Sequence, residues 1–501
     1  MLAAVDLGSN SFRMVIARVD AGQLQMVDRL REGVRLGGYL DERQRLTPEG
    51  QERALQCLHR FGERLRDFPQ GTVRVVGTNT LRRARKIGRF LDRAQDLLGH
   101  PIEVVSGREE ARLIFLGVAH SLAGGPARRL VVDIGGGSTE CILGHSFDPR
   151  RTQSLYMGCV SYTLSFFSDG KLSAKAMRNA ETAARLELRA IESEYRGHGW
   201  DEAVGASGTV HAIANLLRLQ GWSGSGITRE GLEKLREFLL QHEHVDKLRL
   251  DGLRRDRARV LPGGLAILRG VFDSLGVERM FVAPGAMREG VLFDLLGRLR
   301  QEDTREQTIR RLIERYQVDV GQAERVERIA LQALGQVGRK WRLDTEQDRT
   351  FLRWAAQLHE VGLAIAHGGY HKHGAYVLQH SDMAGFSMQN QKLLALLVRG
   401  HRRKLPVAFF KEMLPDGEVK RALRLCALLR FACLLNRSRS DRQLPEVRFR
   451  AKGKRLRVAF PEDWLERHPL TRADVLQEAE YLRAMKVRLE FGSFCETAES
   501  S

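Results

Sequence analysis

"VVDIGGGSTE", residues 131–140, sets three consecutive glycines between an aspartate and a glutamate, directly after an apolar run that reads as the end of a buried strand. Glycine removes Cβ bulk, permits positive φ and lets backbone N–H groups converge on an anion, as phosphate-cradling loops require. The pattern has a counterpart near the N-terminus. "DLGSNSFRMVIA" from Asp6 aligns with "DIGGGSTECILG" from Asp133, each preceded by an apolar strand and followed by a second apolar segment. A single Gly-rich turn more often just closes a hairpin. Two copies, each opening with Asp, predict a duplicated, two-lobed α/β core in which each lobe presents a loop to a phosphate.

The rest of the chain sets the bounds. With 501 residues, 43% hydrophobic and 29% charged, it can bury several cores, roughly three or four domains' worth. No window approaches the ~18 uninterrupted apolar residues of a membrane span. The opening "MLAAVDLGSNS" enters a strand without the basic, apolar, small-residue order of a secretory signal, so a cytoplasmic location is expected. Cys57, Cys141, Cys159, Cys426, Cys433 and Cys495 have no Cys-x-x-Cys spacing, which reads as reduced packing thiols and no disulfides. A formal charge of +19 points to an anionic partner: nucleic acid, an anionic membrane surface or a polyanionic small molecule all satisfy it, and so do solvated Arg-rich faces. Nucleic-acid binding has no motif here beyond charge.

Three more segments, "VRVVGTNTLRRARK" (73–86), "AVGASGTVHAIANLL" (203–217) and "MFVAPGAMREGVLFDLL" (280–296), each run from a short apolar strand through Gly or Thr into a helical pattern. The free N–H groups of a helix N-terminus form an anion site. Arg82 and Arg288 stand near these helix starts, where the macrodipole disfavours a cation unless an anion is close. In "SGREEARLIFLGV" (106–118), Ser106 and Glu109 have capping-box spacing, while Ala111, Ile114, Phe115 and Val118 form an apolar stripe. Glu109 is thereby given a structural role. Glu110 falls on the border of the stripe, where desolvation raises a carboxylate's basicity and suits it to take a proton from water.

With these residues in place the sequence resembles the exopolyphosphatase and guanosine pentaphosphate phosphohydrolase family, within the superfamily of sugar kinases, actin and heat-shock ATPases. The resemblance rests on "AAVDLGSNSFRMVIARV", "VVGTNTLRRA", "SGREEARLIFLGV", "LVVDIGGGSTE", "MGCVSY", "GASGTVHA", "LPGGLAIL" and "GAMREGVL", in that order over residues 3–292. "LRWAAQLHEVGLAIAHGGYHKHGAYVLQHSDMAGF" (352–386) is similar to the helical third domain of long-chain members. The resemblance implies an actin-like, sugar-kinase-like core built on duplicated ribonuclease-H-like lobes, with lobes at 1–120 and 121–300. An all-α HD-like domain at 305–440 and a small basic α+β domain at 441–501 follow.

By position, the resemblance implies Glu110 as the base that activates water, and Asp133 and Glu140 as acidic residues tied to catalysis and to magnesium or manganese. It places Asp6, Ser9 and Asn10 in the first phosphate loop. Arg82, Gly135, Gly136, Gly137, Ser138, Gly208 and Arg288 are the expected contacts to terminal phosphates. Potassium stimulation, a homodimer and peripheral contact with an anionic membrane are further expectations of the same origin. Such a set suffices for phosphoryl transfer, which is largely positioning plus charge neutralisation.

The C-terminal third carries His359, His367, His371, His373, His380 and His401. His359-Glu360 stands where HD-type metal phosphohydrolases have His-Asp, so the resemblance is to an HD fold that has lost its usual ligand set, and the histidines either line a polyanion path or pack. "VRFRAKGKRLRVAF" (447–460) reads as a basic hairpin around Gly453. It is either an edge strand protected by charge or a surface holding a long polyanion. The polybasic balance, together with the resemblance of the 371–386 stretch to the polyphosphatase branch of the family, favours terminal hydrolysis of inorganic polyphosphate. Removal of the 5′ terminal phosphate of guanosine pentaphosphate is the alternative, and a non-catalytic polyphosphate or nucleotide sensor is disfavoured by the presence of Glu110, Asp133 and Glu140.

Overall fold

The computed structural model describes residues 1–20, 23–122, 128–249, 251–253, 255–300, 302–404, 407–440 and 444–494. It divides into two compact units, Met1–Thr304 and Arg305–Ser501. Cys495 lies outside the described residues. The other five cysteines are free thiols, and no helix among the described residues is long and apolar enough to cross a membrane.

The first unit holds two sheets. One contains β1 (Leu2–Leu7), β2 (Phe12–Asp20), β3 (Gln23–Glu32), β4 (Val73–Gly77) and β5 (Ile102–Val104) in the order β3-β2-β1-β4-β5. The other contains β6 (Arg128–Ile134), β7 (Thr139–His145), β8 (Asp148–Leu155), β9 (Glu202–Gly205), β10 (Ile227–Thr228) and β11 (Arg279–Val282) in the order β10-β11-β9-β6-β7-β8. In each sheet an antiparallel meander is followed by a strand parallel to the first, β4 beside β1 and β9 beside β6. The internal repeat is therefore a repeat of architecture, with β10 as an addition at one edge. β1 and β6 are central strands and bury nearly every residue, as their unbroken apolar runs require.

Two helices, Gly107–Ser121 and Met287–Leu299, lie in a core that takes side chains from both sheets, including Val15, Val76, Val131, Ile142 and Val204. Leu113, Ile114, Phe115 and Val118 are buried on the first helix, and each such side chain contributes about 1.5–3 kcal/mol. The helices touch backbone to backbone. A Cβ on Gly117 would collide with the Ala286 carbonyl, and one on Gly290 with the Leu113 carbonyl. Beside this contact lies an ionic lattice. Arg74 of β4 reaches Glu103 of β5 at 3.0 Å and Asp294 at 2.6 Å. Arg112 pairs with Glu109 at 2.8 Å and with Asp294. Arg298 reaches Asp294 at 3.0 Å and Glu103 at 3.3 Å. Burial opposes ionisation of Asp294, but Arg112, Arg74 and Arg298 together hold it well below the usual carboxylate range.

The second unit is helical, with a three-stranded sheet of β12 (Arg448–Lys452), β13 (Arg455–Pro461) and β14 (Arg488–Phe494). The basic hairpin expected around Gly453 is present, with Gly453 at φ 59°. β13 is no edge strand, because β14 pairs with it in parallel on its other side. Phe449, Leu456, Val458 and Phe460 share one core with the helices. Arg430, 1% exposed, is paired with buried Glu478 and donates to the Gly400 and Arg403 carbonyls, tying the Asp416–Leu435 helix to the loop after Met388–Gly400.

Candidate active site

The two glycine-containing turns, β1–β2 and β6–β7, face one cleft of about 120 Å3 in the first unit. In antiparallel pairs, residues directly opposite share a face. Asp133 is opposite Glu140 in the second hairpin, and Asp6 is opposite Arg13 in the first. The duplicated hairpin thus offers an acid–acid pair on one side and an acid–base pair on the other.

The glycines of the second loop supply room. None of Gly135, Gly136 and Gly137 has a positive φ, so the conformational freedom expected of them is not what the loop uses. A side chain at Gly137 would strike Asn79, and one at Gly136 would press on Ser9 of the first loop. The Gly135 carbonyl accepts from Cys159 N and the Gly136 carbonyl from Val160 N, each at 2.9 Å. That seats the helix Cys159–Phe166 directly against the loop.

Glu110 enters from the first turn of the Gly107–Ser121 helix, which Ser106 caps by accepting from Glu109 N at 3.2 Å. It is 8% exposed. Arg82 donates to its Oε2 at 3.1 Å and to the Val105 carbonyl at 2.9 Å. Burial raises the basicity of Glu110, while the Arg82 guanidinium opposes the rise. Asp133 is pushed up to about 7, first by burial and then by repulsion from Glu110. Glu140 is raised well above the ordinary value by burial, Glu110 and Asp133, against hydrogen bonds from Ser154 at 2.8 Å and from Ser138. Asp6 is also raised by burial, with Arg13 and Arg288 pulling it down.

Every site residue expected from the sequence lines this cleft except Glu140 and Arg82. Glu140, 1% exposed, stands beside Asp133 on the neighbouring strand, and Arg82 is engaged by Glu110. Arg13, Thr78, Asn79, Ser207, Thr209 and Arg257 also line the cleft and were missed. The repeat alignment held a signal for Arg13, which occupies the position matching Glu140. Arg257 stands in an arginine-rich stretch with nothing to mark it. Ser207 caps the Gly208–Leu219 helix by accepting from Val210 N at 3.1 Å, leaving that helix start open to the cleft.

Four carboxylates that repel one another are faced by Arg13, Arg257 and Arg288 and by loops stripped of side chains, a charge pattern chemically suited to a cation and the end of a phosphate chain held together. A model of the Ppx/GppA phosphatase family matches residues 15–299, and one of its domain III matches residues 304–479. The chain belongs to the Ppx/GppA phosphatase family. It is a phosphatase of that family on a core matching the family's solved members. A curated relative from Vibrio vulnificus (strain YJ016), named guanosine-5'-triphosphate,3'-diphosphate pyrophosphatase, is 41% identical over 96% of this chain and 95% of its own. The Aquifex aeolicus PPX-GPPA enzyme is 27% identical with a TM-score of 0.50, over 58% of this chain and 98% of its own. An exopolyphosphatase from Cytophaga hutchinsonii, at 22% identity and TM-score 0.54, covers 59% of this chain and 97% of its own, and shares the fold.

In the second unit of this Ppx/GppA chain, His359 and His401 stack edge to face at 5.4 Å, and His371 lies 6.2 Å from His401. Burial lowers the basicity of all three, His371 to about 4. Glu360 is paired with Arg439. Among the described residues no group of three or more His, Cys, Asp or Glu has the geometry to hold a metal ion, in this unit or in the cleft.

Proposed function

We propose that this protein hydrolyses the 5′ terminal phosphoanhydride of guanosine pentaphosphate, releasing orthophosphate and guanosine tetraphosphate. One observation carries the choice of substrate: the Vibrio vulnificus relative, named as a pyrophosphatase of that nucleotide, aligns over 96% of the chain. It reverses the order suggested by the polybasic composition, which had placed polyphosphate first.

The roles follow from the cleft. Glu110 takes the proton of the attacking water, and Arg82 holds its carboxylate in place. Arg13, Arg257 and Arg288, with backbone N–H groups of both loops, receive the charge of the terminal phosphates. The donor set suits magnesium, which needs only one or two carboxylates and completes its shell with phosphate oxygens and water. Asp133 is the cleft-lining candidate to hold it, with Glu140 as the neighbouring charge across the strand pair. The ion, when bound, neutralises the carboxylates and the phosphate chain together.

The test is orthophosphate release with magnesium from guanosine pentaphosphate and from long-chain polyphosphate. A kcat/KM for the nucleotide at least tenfold above that for polyphosphate ends supports the proposal. The opposite preference overturns it.

A second expectation concerns pH. Because the Asp133 carboxyl is raised to about 7 in the folded chain, the native state binds more protons than the unfolded state between roughly pH 4 and 7, and its stability falls as pH rises through that window. Magnesium requires the ionised carboxylates. At a concentration about 100 times its Kd at pH 8, magnesium is expected to raise Tm by ~5 °C there, and the same concentration by much less at pH 5. Thermal melts with and without the ion measure this directly, and equal gains at both pH values would remove Asp133 from the ion's site.

A further inference from the structure

A second cavity of about 430 Å3 adjoins the phosphate cleft, with Ser9 and Asn10 lining both. This volume is in the range that takes a drug-sized or nucleoside-sized ligand. Its walls differ in character from the cleft. Val160, Leu164, Phe167 and Val245 give it apolar surface, and Leu164 is 59% exposed, a large side chain that the described residues leave uncovered.

Both sides of the cavity are tied by backbone to the phosphate loops. On one side, Arg35 N donates to the Asn10 carbonyl and Gly37 N to the Ser9 carbonyl, each at 2.9 Å. Arg35, which lines the cavity, is held at φ 57°, a left-handed conformation that costs a non-glycine residue ~1 kcal/mol or more and that clusters at ligand sites. On the other side, the helix carrying Val160 and Leu164 is bonded to Gly135 and Gly136 as described. The cavity therefore keeps a set distance from the phosphate loops, which matters for a ligand that has a phosphate chain at one end and a bulky group at the other.

We propose that this cavity seats the guanosine of guanosine pentaphosphate, an assignment that rests on the activity proposed above and gives it a specificity site. The apolar walls suit the faces of a purine. The Watson–Crick edge of guanine presents two adjacent donors, which a carboxylate accepts and which adenine lacks. Asp246 lines the cavity. Its carboxylate lies 3.4 Å from His244 Nδ1 and 3.8 Å from Arg259, and among the described residues no hydrogen bond within the chain occupies it. Its side chain is 61% exposed, so it can accept from the guanine donors while Arg259 stays beside it.

Leu164→Asp and Asp246→Asn test the assignment, both at solvent-accessible positions. Each is expected to lower kcat/KM for guanosine pentaphosphate about tenfold or more, through KM. Tripolyphosphate, read as hydrolysis or as competitive inhibition, engages the phosphate cleft alone and should stay within about twofold, which also certifies the fold. Asp246→Asn should in addition erode the preference for the guanosine over the adenosine pentaphosphate by about tenfold. If the parent turns over the nucleotide and both variants keep its KM, the cavity is not the guanosine site, though the activity stands. If the parent acts on tripolyphosphate and ignores the nucleotide, the activity and the assignment fall together.

Discussion

Glu110→Gln is expected to cut kcat for orthophosphate release by about 10²–10⁴-fold, the usual worth of a positioned general base. The amide has the carboxylate's shape and keeps an oxygen that can accept from Arg82 Nη1, now 3.1 Å from Glu110 Oε2. It cannot take a proton from water. In the proposed mechanism the phosphate contacts come from the loops and from Arg13, Arg257 and Arg288, which line the cleft, so KM should remain within about threefold. The variant should be no less stable than the parent, since it removes one of a set of buried carboxylates that raise one another's pKa. Steady-state kinetics with thermal melts check both halves. A kcat within tenfold of the parent would mean that another group receives the proton.

Gly290→Ala should have the next largest effect, although the substitution lies away from the cleft lining. The methyl would overlap the Leu113 carbonyl across the contact between Gly107–Ser121 and Met287–Leu299. Backbone cannot step aside as a side chain can, so the helices must separate. Overpacking of this kind costs about 3 kcal/mol. The two helices carry Glu110 and Arg288, and displacing groups around a reacting centre by ~1 Å can cost 10²-fold in rate. A lowered Tm together with a kcat reduced about a hundredfold is expected. A lowered Tm with full kcat would show that the glycine contact supports the fold without positioning the site.

Local pattern carried much of the reading. The strand–loop hairpins at Asp6 and Asp133 are legible because apolar runs, glycines and the repeat all lie close in sequence. The strand-to-helix junctions at 73–86, 203–217 and 280–296 are legible for the same reason. What eluded the sequence depends on partners far along the chain. Glu109 reads as a capping residue from its spacing to Ser106, yet its carboxylate is engaged by Arg112 and by Arg74, the latter from another element. Arg82 reads as a phosphate contact from its place near a helix start. That helix, Asn79–Arg83, is barely more than one turn, and the side chain instead turns to Val105 and Glu110. The second cavity draws its walls from around residues 35, 160–167 and 244–246, segments that no window of sequence brings together.

The lattice of Arg74, Arg112 and Arg298 with Glu103, Glu109 and Asp294 sets three cations against three anions. It is electrically neutral, so none of the formal +19 is balanced or consumed there. Its side chains are mostly out of water, where dissolved ions screen poorly. The positive excess belongs to the rest of the molecule, much of it exposed. Ionic strength therefore meets two kinds of electrostatics in one chain: a surface whose pull on phosphates fades as salt is added, and a sealed joint between helices and strands that salt leaves in place.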